Sequence, residues 1–583
     1  MNIASVNKLI TLAARVMDMK KSTEAVYVQS AQKPSFEKRR PKAPLERTDP
    51  ESVGIKSECI NDLLEKIFFD KDLNVHGIMI LRNNKIITEA SFGGYDFSYM
   101  RYTFSQCKSI VALAIGCLID EGRLELDSKV TEILAKYNSP VSKLRFKKLT
   151  VRDLLTMRSS VEFAEADTLV EKEWRKGYFA ASTKGEIGES FAYNSLNTYI
   201  LASIVTEITG VSLTEYLEEK IFTPLDIDSY FWEKSPEGIE KGGWGLFILP
   251  EDMAKIALTV VNKGVWNGKR IVSEEFILDA TTAHVKTPES IGQFDYGYQM
   301  WCGKNSHTFL FNGMFGQNAL GFLDNGVVVI TIGGNNEMFQ SCPYYGYLLD
   351  AFNRELPGSL RKNRAAVKKL EKTIGLINNY CEKKNKGMPS LWGKKSLLPE
   401  DAYYLDGRVY NSDDADAPSC GFMPTLLQIF TSRYTKGLES VAFDVIDNSF
   451  YMTYTEKNES IRFEIGFDSP KITEIFINGE YYHIAVKGKF TENEDGDSVL
   501  VIRADLVEMP SSRYIKFYYK GQPYLKQYET PGGEYLAELI IKGKNELSQN
   551  PALGITIGKL DDEYLRYKVD RVFAPDIKMK LVK

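Results

Sequence analysis

The chain has 583 residues, of which 43% are hydrophobic and 26% charged, and its formal net charge is −5. This composition is ordinary for a soluble globular protein of two or three domains, and its charge does not favour nucleic acid or anionic membranes as partners. No apolar run reaches the ~18–20 residues of a membrane span. Seven cysteines without a CxxC pair, and only four scattered histidines, predict free thiols in a reducing compartment and no metal site. We therefore expect a cytoplasmic protein that uses neither metal nor cofactor.

The first part of the chain predicts a helix and linker over residues 1–45, followed by a mixed domain over 46–357. Residues 75–92 read as a hairpin around an Asn-Asn turn, and 318–334 read as a second hairpin. The segments between them have apolar residues at helical spacing, at 105–122, 149–160, 197–210 and 249–264. Early and late strands that share one antiparallel sheet, flanked by the intervening helices, make this an α+β domain.

The composition and the spacing of apolar residues change after residue 357. Residues 358–398 are charged and predict a connector helix. Residues 399–583 contain short alternating strands, which predict a β-rich barrel or sandwich domain. This part contains no nucleophile motif, so we expect a structural or lid-like accessory domain.

The stretch YTFSQCKSIVALAIGCLIDEG, residues 102–122, places Ser105 and Lys108 at the start of an apolar helix. Ser-x-x-Lys alone is weak, because it recurs at four other places in polar or charged surroundings. Here the two side chains are one helical turn apart and share a face. A buried lysine with a lowered pKa can take the serine proton, and the free N–H groups at a helix start favour the negative charge that develops. The four histidines stand alone, so a lysine or tyrosine base is expected.

These residues lie among stretches that together resemble the serine β-lactamase and penicillin-binding-protein superfamily, in its class C-like, esterase and 6-aminohexanoate-oligomer-hydrolase-like branch. The resemblance runs from about residue 45 to 340. It rests on eight stretches in the family's order: TDPESVGI (48–55), FSQCKS (104–109), AIGCLIDEGRLELDSKV (114–130), LTVRDLLTM (149–157), GESFAYNSLNTYILASIVTEITG (188–210), GGWGLFILPEDMAKIALTVVNKG (242–264), YGYQMW (296–301) and FNGMFGQNALGFLDNGVVVI (311–330).

The resemblance implies a β-lactamase/transpeptidase-like fold and specific catalytic roles. Ser105 would be acylated, with Lys108 as its partner base. Tyr193 matches the tyrosine of the Tyr-x-Asn/Ser motif and would relay protons to the leaving group. Ser195 matches the third position of that motif and would orient Lys108 or Tyr193.

The family's third motif, a cation followed two residues later by glycine, corresponds to Phe311-Asn312-Gly313. The resemblance implies that the N–H of Met314 joins that of Ser105 as the oxyanion hole. Phe311 stands where the family has a cation that holds a substrate carboxylate. We therefore expect an uncharged ester or amide rather than a penicillin, with Phe311 as an apolar wall.

The sequence predicts a serine hydrolase or acyltransferase that acts on a small-molecule ester or amide. Trp244, Trp301 and Tyr298 fall near pocket-forming segments of the family and are candidates for the substrate pocket, although each could equally be core. Asn312, beside Phe311 in the third motif, is a further candidate for the pocket. Two alternatives stay open: a catalytically silent binding or sensor module, and a true β-lactamase or D-peptidase. The sequence leaves the oligomeric state undetermined.

Overall fold

The computed structural model of the chain describes residues 32–336, 344–378, 398–413, 421–431, 433–435, 437–457, 459–532, 541 and 561–583. The helix predicted near the N-terminus lies outside the described residues. The chain divides into two compact units. The first contains Phe36–Phe92 and Asp96–Asn378, and the second contains 32–35, Gly93–Tyr95 and the described residues from 398 onward.

The first unit contains thirteen strands among its described residues: β1 (Glu46–Arg47), β2 (Val75–Arg82), β3 (Lys85–Ser91), β4 (Arg101–Tyr102), β5 (Tyr230–Trp232), β6 (Leu246–Ile248), β7 (Val265–Trp266), β8 (Lys269–Arg270), β9 (Phe294–Tyr296), β10 (Trp301–Gly303), β11 (Thr308–Gly313), β12 (Gln317–Phe322) and β13 (Val327–Gly333). Its α-helices are α1 (Ser57–Phe68), α2 (Lys108–Asp120), α3 (Val130–Ile133), α4 (Pro140–Arg145), α5 (Val151–Leu155), α6 (Glu165–Thr168), α7 (Trp174–Ala180), α8 (Ser195–Thr209), α9 (Leu213–Leu217), α10 (Pro250–Val261), α11 (Glu274–Ala280), α12 (Tyr344–Phe352) and α13 (Arg364–Asn378).

The main sheet of this unit has eight strands in the order β1-β3-β2-β13-β12-β11-β10-β9. All neighbours pair antiparallel except the two-residue β1, which pairs parallel with β3. The hairpin predicted at 75–92 is β2–β3, and Asn83 and Asn84 in its turn both have positive φ, 51° and 60°. Asparagine tolerates this conformation, which a two-residue hairpin turn of matching twist requires. Because β13 pairs with β2, early and late strands share one sheet, as predicted.

Helices cover both faces of the sheet. One face packs against the core that contains α2, α8 and α10, and α2 is buried along Lys108–Leu118. The other face packs against the core that contains α1, α12 and α13. The described part of the predicted connector, α13, packs on α1 and β3. The α+β layout with a β-lactamase/transpeptidase-like architecture is thus confirmed.

The second unit is built on a ten-stranded antiparallel sheet in the order β17-β16-β15-β14-β23-β22-β21-β20-β19-β18. Its strands are β14 (Val409–Ser412), β15 (Leu438–Ile446), β16 (Ser449–Glu456), β17 (Glu459–Ile465), β18 (Lys471–Ile477), β19 (Glu480–Glu492), β20 (Ser498–Leu506), β21 (Ser512–Tyr518), β22 (Tyr524–Thr530) and β23 (Asp576–Leu581), and its described helices are α14 (Glu400–Leu405), α15 (Thr425–Thr431) and α16 (Asp562–Phe573).

The alternation of buried and partly exposed side chains explains why these segments are strands. In β16 the buried residues are Phe450, Met452, Tyr454 and Glu456, while the residues between them are partly exposed. Beyond β17, Gly466 forms a bridge with Lys487 of β19, so the sheet curls into a nearly closed barrel. Of the two predicted forms, barrel and sandwich, the barrel is the one observed.

No single described helix combines the length and the apolar character that a membrane crossing requires. The pair Ser195–Thr209 and Leu213–Phe222 meets that test only when the two helices are joined across a 76° bend.

Candidate active site

Ser105 lies in a 3₁₀ turn, Phe104–Cys107, that leads directly into α2. The sequence predicted Ser105 in the first turn of the α-helix itself, so its local conformation is tighter than expected. Phe104 has a φ of 47°, a left-handed conformation that is costly for a bulky residue. The Ser105 side chain is partly exposed, whereas Phe104 and Cys107 are buried. The turn therefore presents one hydroxyl to the surface from a constrained backbone.

Lys108 is the first residue of α2, and it is only 1% exposed. Its ammonium donates to Ser105 Oγ at 2.8 Å, to Ser195 Oγ at 2.8 Å and to the Gly243 carbonyl at 2.6 Å. A carbonyl can only accept, so a neutral Lys108 keeps one N–H on Gly243. Its lone pair must then face one of the two hydroxyls. The arrangement is therefore suited to a lysine that takes the proton of Ser105.

The pKa of Lys108 is lowered to about 8, mainly because burial disfavours the charged form. The charges of Cys107 and Glu165 act in the opposite direction, but they do not cancel the effect of burial. A lysine in this range is neutral in a useful fraction of molecules at mildly alkaline pH. It can therefore act as a general base.

Tyr193 contacts both of these residues. Its hydroxyl shares a hydrogen bond with Ser105, and Lys108 Nζ lies 5.1 Å from the centre of its ring. Burial raises the pKa of Tyr193 well above its ordinary value of 10, and the hydrogen bond from Ser105 only partly opposes this. Tyr193 is thus protonated near neutral pH, which suits it to donate a proton rather than to remove one.

Two neighbours of Tyr193 fix the start of α8. Asn194 caps the helix by accepting from the Leu196 N–H at 2.8 Å. Its amide also donates to the carbonyls of Val161 and Phe163, at 3.0 and 2.9 Å. Ser195 is the first residue of α8, and its hydroxyl accepts from Lys108. The motif allowed Ser195 to orient either Lys108 or Tyr193, and the structure shows a hydrogen bond between Ser195 and Lys108.

Gly243 is a contributor to this site that the motifs did not identify. Besides accepting from Lys108, it packs so closely on α8 that an added Cβ would lie 2.6 Å from the Ser195 carbonyl. The Cys107 thiol links this loop to the nucleophile turn, since it lies 3.1 Å from both the Phe104 and the Gly242 carbonyls. The stretch GGWG begins one of the eight stretches that resemble the family. A hydrogen bond accepted by a backbone carbonyl, however, cannot be predicted from the side chains.

The proposed oxyanion strand, β11, packs directly against the nucleophile turn. A Cβ added at Gly313 would lie 2.2 Å from the Thr103 carbonyl, so glycine is required by the approach of the two backbones. Met314 then opens a short turn, Met314–Gly316, in which Phe315 has a φ of 63°. The rings of Phe104 and Phe315 meet edge to face at 5.5 Å. The two backbone segments that would supply the oxyanion-hole donors are thus held together.

The prediction that Phe311 forms a wall of the substrate pocket is wrong. Its side chain is 0% exposed and packs with Phe309 in the core beneath β11, on the side of α2. Strand alternation sends Asn312 to the opposite face, where it donates to Asn318 Oδ1 at 2.8 Å and to the Tyr345 hydroxyl at 3.2 Å. Both side chains serve packing and hydrogen bonding within the fold.

The three aromatic residues proposed for the pocket occupy different environments. Trp301 is buried and stacks on Tyr193 with ring centres 5.7 Å apart, so it supports the ring of Tyr193. Trp244 is partly exposed and follows Gly243, which leaves it as a pocket candidate. The placement of Tyr298 in the pocket is wrong, because its buried ring stacks on His284 and its hydroxyl bonds Asp279 at 2.6 Å.

Glu165 is the second residue that the motifs missed. It begins α6, is partly exposed, and its Oε1 accepts from the Ser195 N–H at 3.3 Å. Its charge is felt by both Lys108 and Tyr193, whose pKa values it raises. The stretch EFAEADT contains nothing that distinguishes this glutamate from its acidic neighbours, so only the fold brings it to the site.

Comparisons with known proteins find relatives for the part of the chain that contains this site. Residues 67–333 match the sequence profile of the Beta-lactamase family. The chain is 26% identical over 270 residues to a 6-aminohexanoate-dimer hydrolase of Paenarthrobacter ureafaciens, which covers 41% of this chain and 67% of that protein.

Similar solved structures include a penicillin-binding protein from Bacillus halodurans (18% identity, 49% of this chain, 97% of the other, TM-score 0.39). They also include EstCE1, described as a hydrolase with promiscuous acyltransferase activity (15% identity, 52% and 99% coverage, TM-score 0.43).

Residues 67–333 are therefore similar in sequence to the β-lactamase family. The predicted resemblance to the serine β-lactamase and penicillin-binding-protein superfamily is confirmed for this part of the chain.

Proposed function

We propose that the chain is a serine hydrolase that cleaves a small ester or amide through an acyl-enzyme on Ser105. The observation that carries the proposal is the position of Lys108. Its buried amine lies 2.8 Å from a partly exposed serine hydroxyl, and its other two hydrogen bonds are satisfied by Ser195 and Gly243. A purely structural lysine gains nothing from burial beside an exposed serine, because removing its charge from water is costly.

The acylation step follows from these contacts. Lys108 removes the proton of Ser105 as Oγ bonds to the substrate carbonyl carbon. The resulting oxyanion is stabilised by backbone N–H groups of Ser105 and Met314. Tyr193 donates its proton to the leaving alcohol or amine as the bond to the carbonyl carbon breaks, and the proton held by Lys108 replaces it.

Deacylation reverses the path with water as the nucleophile. Water gives one proton to the Lys108/Tyr193 pair, its oxygen bonds to the acyl carbon, and Ser105 leaves as the protonated hydroxyl. An alcohol or amine in place of water makes the same site an acyltransferase. The ratio of the two outcomes depends on which nucleophile reaches the acyl-enzyme.

A fluorophosphonate probe tests the proposal, since it reacts covalently with activated serines. The wild-type chain should be labelled once per molecule, and Ser105→Ala should not be labelled although it folds. Replacing this small residue at the start of a helix costs only about 0.5–2 kcal/mol. A wild-type chain that resists the probe and hydrolyses no ester would instead support a silent binding module. Turnover of nitrocefin well above that of neutral esters would support a β-lactamase.

A further inference from the structure

A second buried lysine lies close to the site, and the mechanism above does not use it. Lys241 directly precedes Gly242 and Gly243, and its ammonium pairs with the Glu233 carboxylate at 2.8 Å. The two side chains are only 4% and 9% exposed. Removing two charges from water is costly, and apolar side chains of similar volume would stabilise the fold equally well or better. The pair therefore needs a role other than stability.

Lys241 begins a tight turn that aims the Gly243 carbonyl. The Gly243 N–H donates to the Lys241 carbonyl at 2.6 Å, across Gly242, whose φ is 65°. A three-residue turn with a positive φ at its centre is the strained form of the γ-turn. The Gly243 carbonyl then accepts from the Lys108 ammonium at 2.6 Å. A small rotation of this turn would therefore move the acceptor away from Lys108.

Glu233 connects this turn to the segment that carries the nucleophile. Its backbone carbonyl accepts from the Lys241 N–H at 2.9 Å, and its carboxylate accepts from the Tyr102 hydroxyl at 3.4 Å. Tyr102 ends β4, three residues before Ser105, and its ring packs edge to face on Phe104 at 4.5 Å. One carboxylate thus contacts both the strand that leads to Ser105 and the residue that begins the turn.

We propose that Glu233 and Lys241 are positioning residues for the proposed reaction. Their ion pair holds the turn at 241–243, so that the Gly243 carbonyl keeps the Lys108 amine aimed at Ser105. A carbonyl can only accept, so it fixes one N–H of the neutral amine and leaves the lone pair for a hydroxyl. The inference rests on the proposed function and adds the residues that orient its base.

The main test removes both charges of the pair at once. Glu233→Gln/Lys241→Met nearly preserves the side-chain volumes and leaves the net charge around Lys108 unchanged. We expect kcat for p-nitrophenyl acetate to fall about 10–100-fold with little change in KM, because acylation and deacylation use the same misaligned base. The midpoint of the pH profile of kcat/KM should move down by about one unit. A carbonyl that accepts from Lys108 stabilises the charged amine, so loss of this acceptor lowers the pKa.

Two further variants show whether the effect belongs to this pair. Glu233→Asp/Lys241→Arg keeps both charges and nearly the same combined length, so it should restore most of the lost kcat and the midpoint. Asp252→Asn/Lys255→Met is the matched control. That pair lies within α10, has the same 2.8 Å separation and is buried, and its lysine donates to the Asp226 carbonyl at 3.2 Å. Its removal should leave kcat and the midpoint unchanged.

A crystal structure of Glu233→Gln/Lys241→Met gives a readout that does not depend on activity. The distance from Lys108 Nζ to the Gly243 oxygen should exceed about 3.5 Å, beyond hydrogen-bond range. If thermal unfolding shows that this variant does not fold, Glu233→Met/Lys241→Met is measured in its place.

Three results would overturn the inference: wild-type kcat and midpoint in the folded double variant, the same losses in the control pair, or a Lys108–Gly243 distance that stays at 2.6 Å. Failure of the proposed function is a separate outcome. It would appear as wild-type turnover that does not depend on Ser105, and the crystallographic distance would still test whether the pair positions Gly243.

Discussion

Gly313→Ala is the substitution for which the structure predicts the largest functional effect from the smallest chemical change. The new Cβ would lie 2.2 Å from the Thr103 carbonyl and 2.8 Å from the Gln317 carbonyl. Ordinary contact begins near 3.4 Å, so β11 and the nucleophile turn must separate by about 1.2 Å (3.4 − 2.2). Pairing of Gly313 with Gln317 in the β11–β12 ladder resists that movement.

The displacement acts on the two backbone N–H groups that we assign to the oxyanion hole. A shift of about 1 Å in catalytic geometry lowers rates by about 100-fold, which corresponds to about 2.7 kcal/mol of transition-state stabilisation. This loss is similar to that from removal of one oxyanion-hole donor. We therefore expect kcat for a p-nitrophenyl ester to fall about 100-fold in Gly313→Ala, with slower fluorophosphonate labelling of Ser105.

Gly346→Ala is the matched control for this experiment. Gly346 lies in α12 with no atom within 4 Å of an added Cβ, so kcat should be unchanged and the helix stabilised by about 0.5–1 kcal/mol. Thermal unfolding separates loss of geometry from loss of fold. A Gly313→Ala variant with wild-type kcat would refute the assignment of this strand to the oxyanion hole.

Three further predictions follow from the same contacts. Lys108 acts when it is neutral, and its pKa is about 8. We therefore expect kcat/KM to rise with pH through about 8 and to fall tenfold per pH unit well below that value. A profile that is flat from pH 6 to 9 would exclude Lys108 as the base. Tyr193→Phe keeps the stacking on Trp301 but removes the proposed proton donor, so kcat should fall about 10²–10⁴-fold. The fall should be smallest for esters with acidic leaving groups such as p-nitrophenol. Equal losses across a series of leaving groups would contradict the donor role. Phe311→Lys should lower the free energy of unfolding by at least about 3 kcal/mol, measured by denaturant titration, because it buries a charge in the core; a stable variant that gains activity on anionic esters would restore Phe311 to the pocket.

The candidate catalytic residues that the sequence identified are those whose contacts are local or that belong to a motif. Ser105 and Lys108 are one turn apart, so their proximity follows from helix geometry alone. Tyr193 and Ser195 are distant in sequence, and only the resemblance to a family connected them with Ser105. Their functional roles stay predictions, whereas the structure places Tyr193 in contact with Ser105 and Ser195 in contact with Lys108.

The residues that the sequence missed act through the fold. Gly243 contributes a backbone carbonyl, which every residue has, and Glu165 is one acidic residue among several in its segment. The error at Phe311 has a different origin. Its place in the motif suggested a pocket, but the alternation of β11 directs both Phe309 and Phe311 into the core. Closure of the C-terminal barrel, similarly, depends on the long-range bridge between Gly466 and Lys487.

The acyl-enzyme itself is the most direct test of the central claim. The wild-type chain would be mixed with p-nitrophenyl acetate, quenched in acid within milliseconds to seconds, and analysed by intact-mass spectrometry and peptide mapping. We predict a transient gain of one acetyl group, located on the peptide that contains Ser105 and absent from Ser105→Ala. An acetyl group that maps to another residue, or hydrolysis that continues in Ser105→Ala at the wild-type rate, would contradict the account.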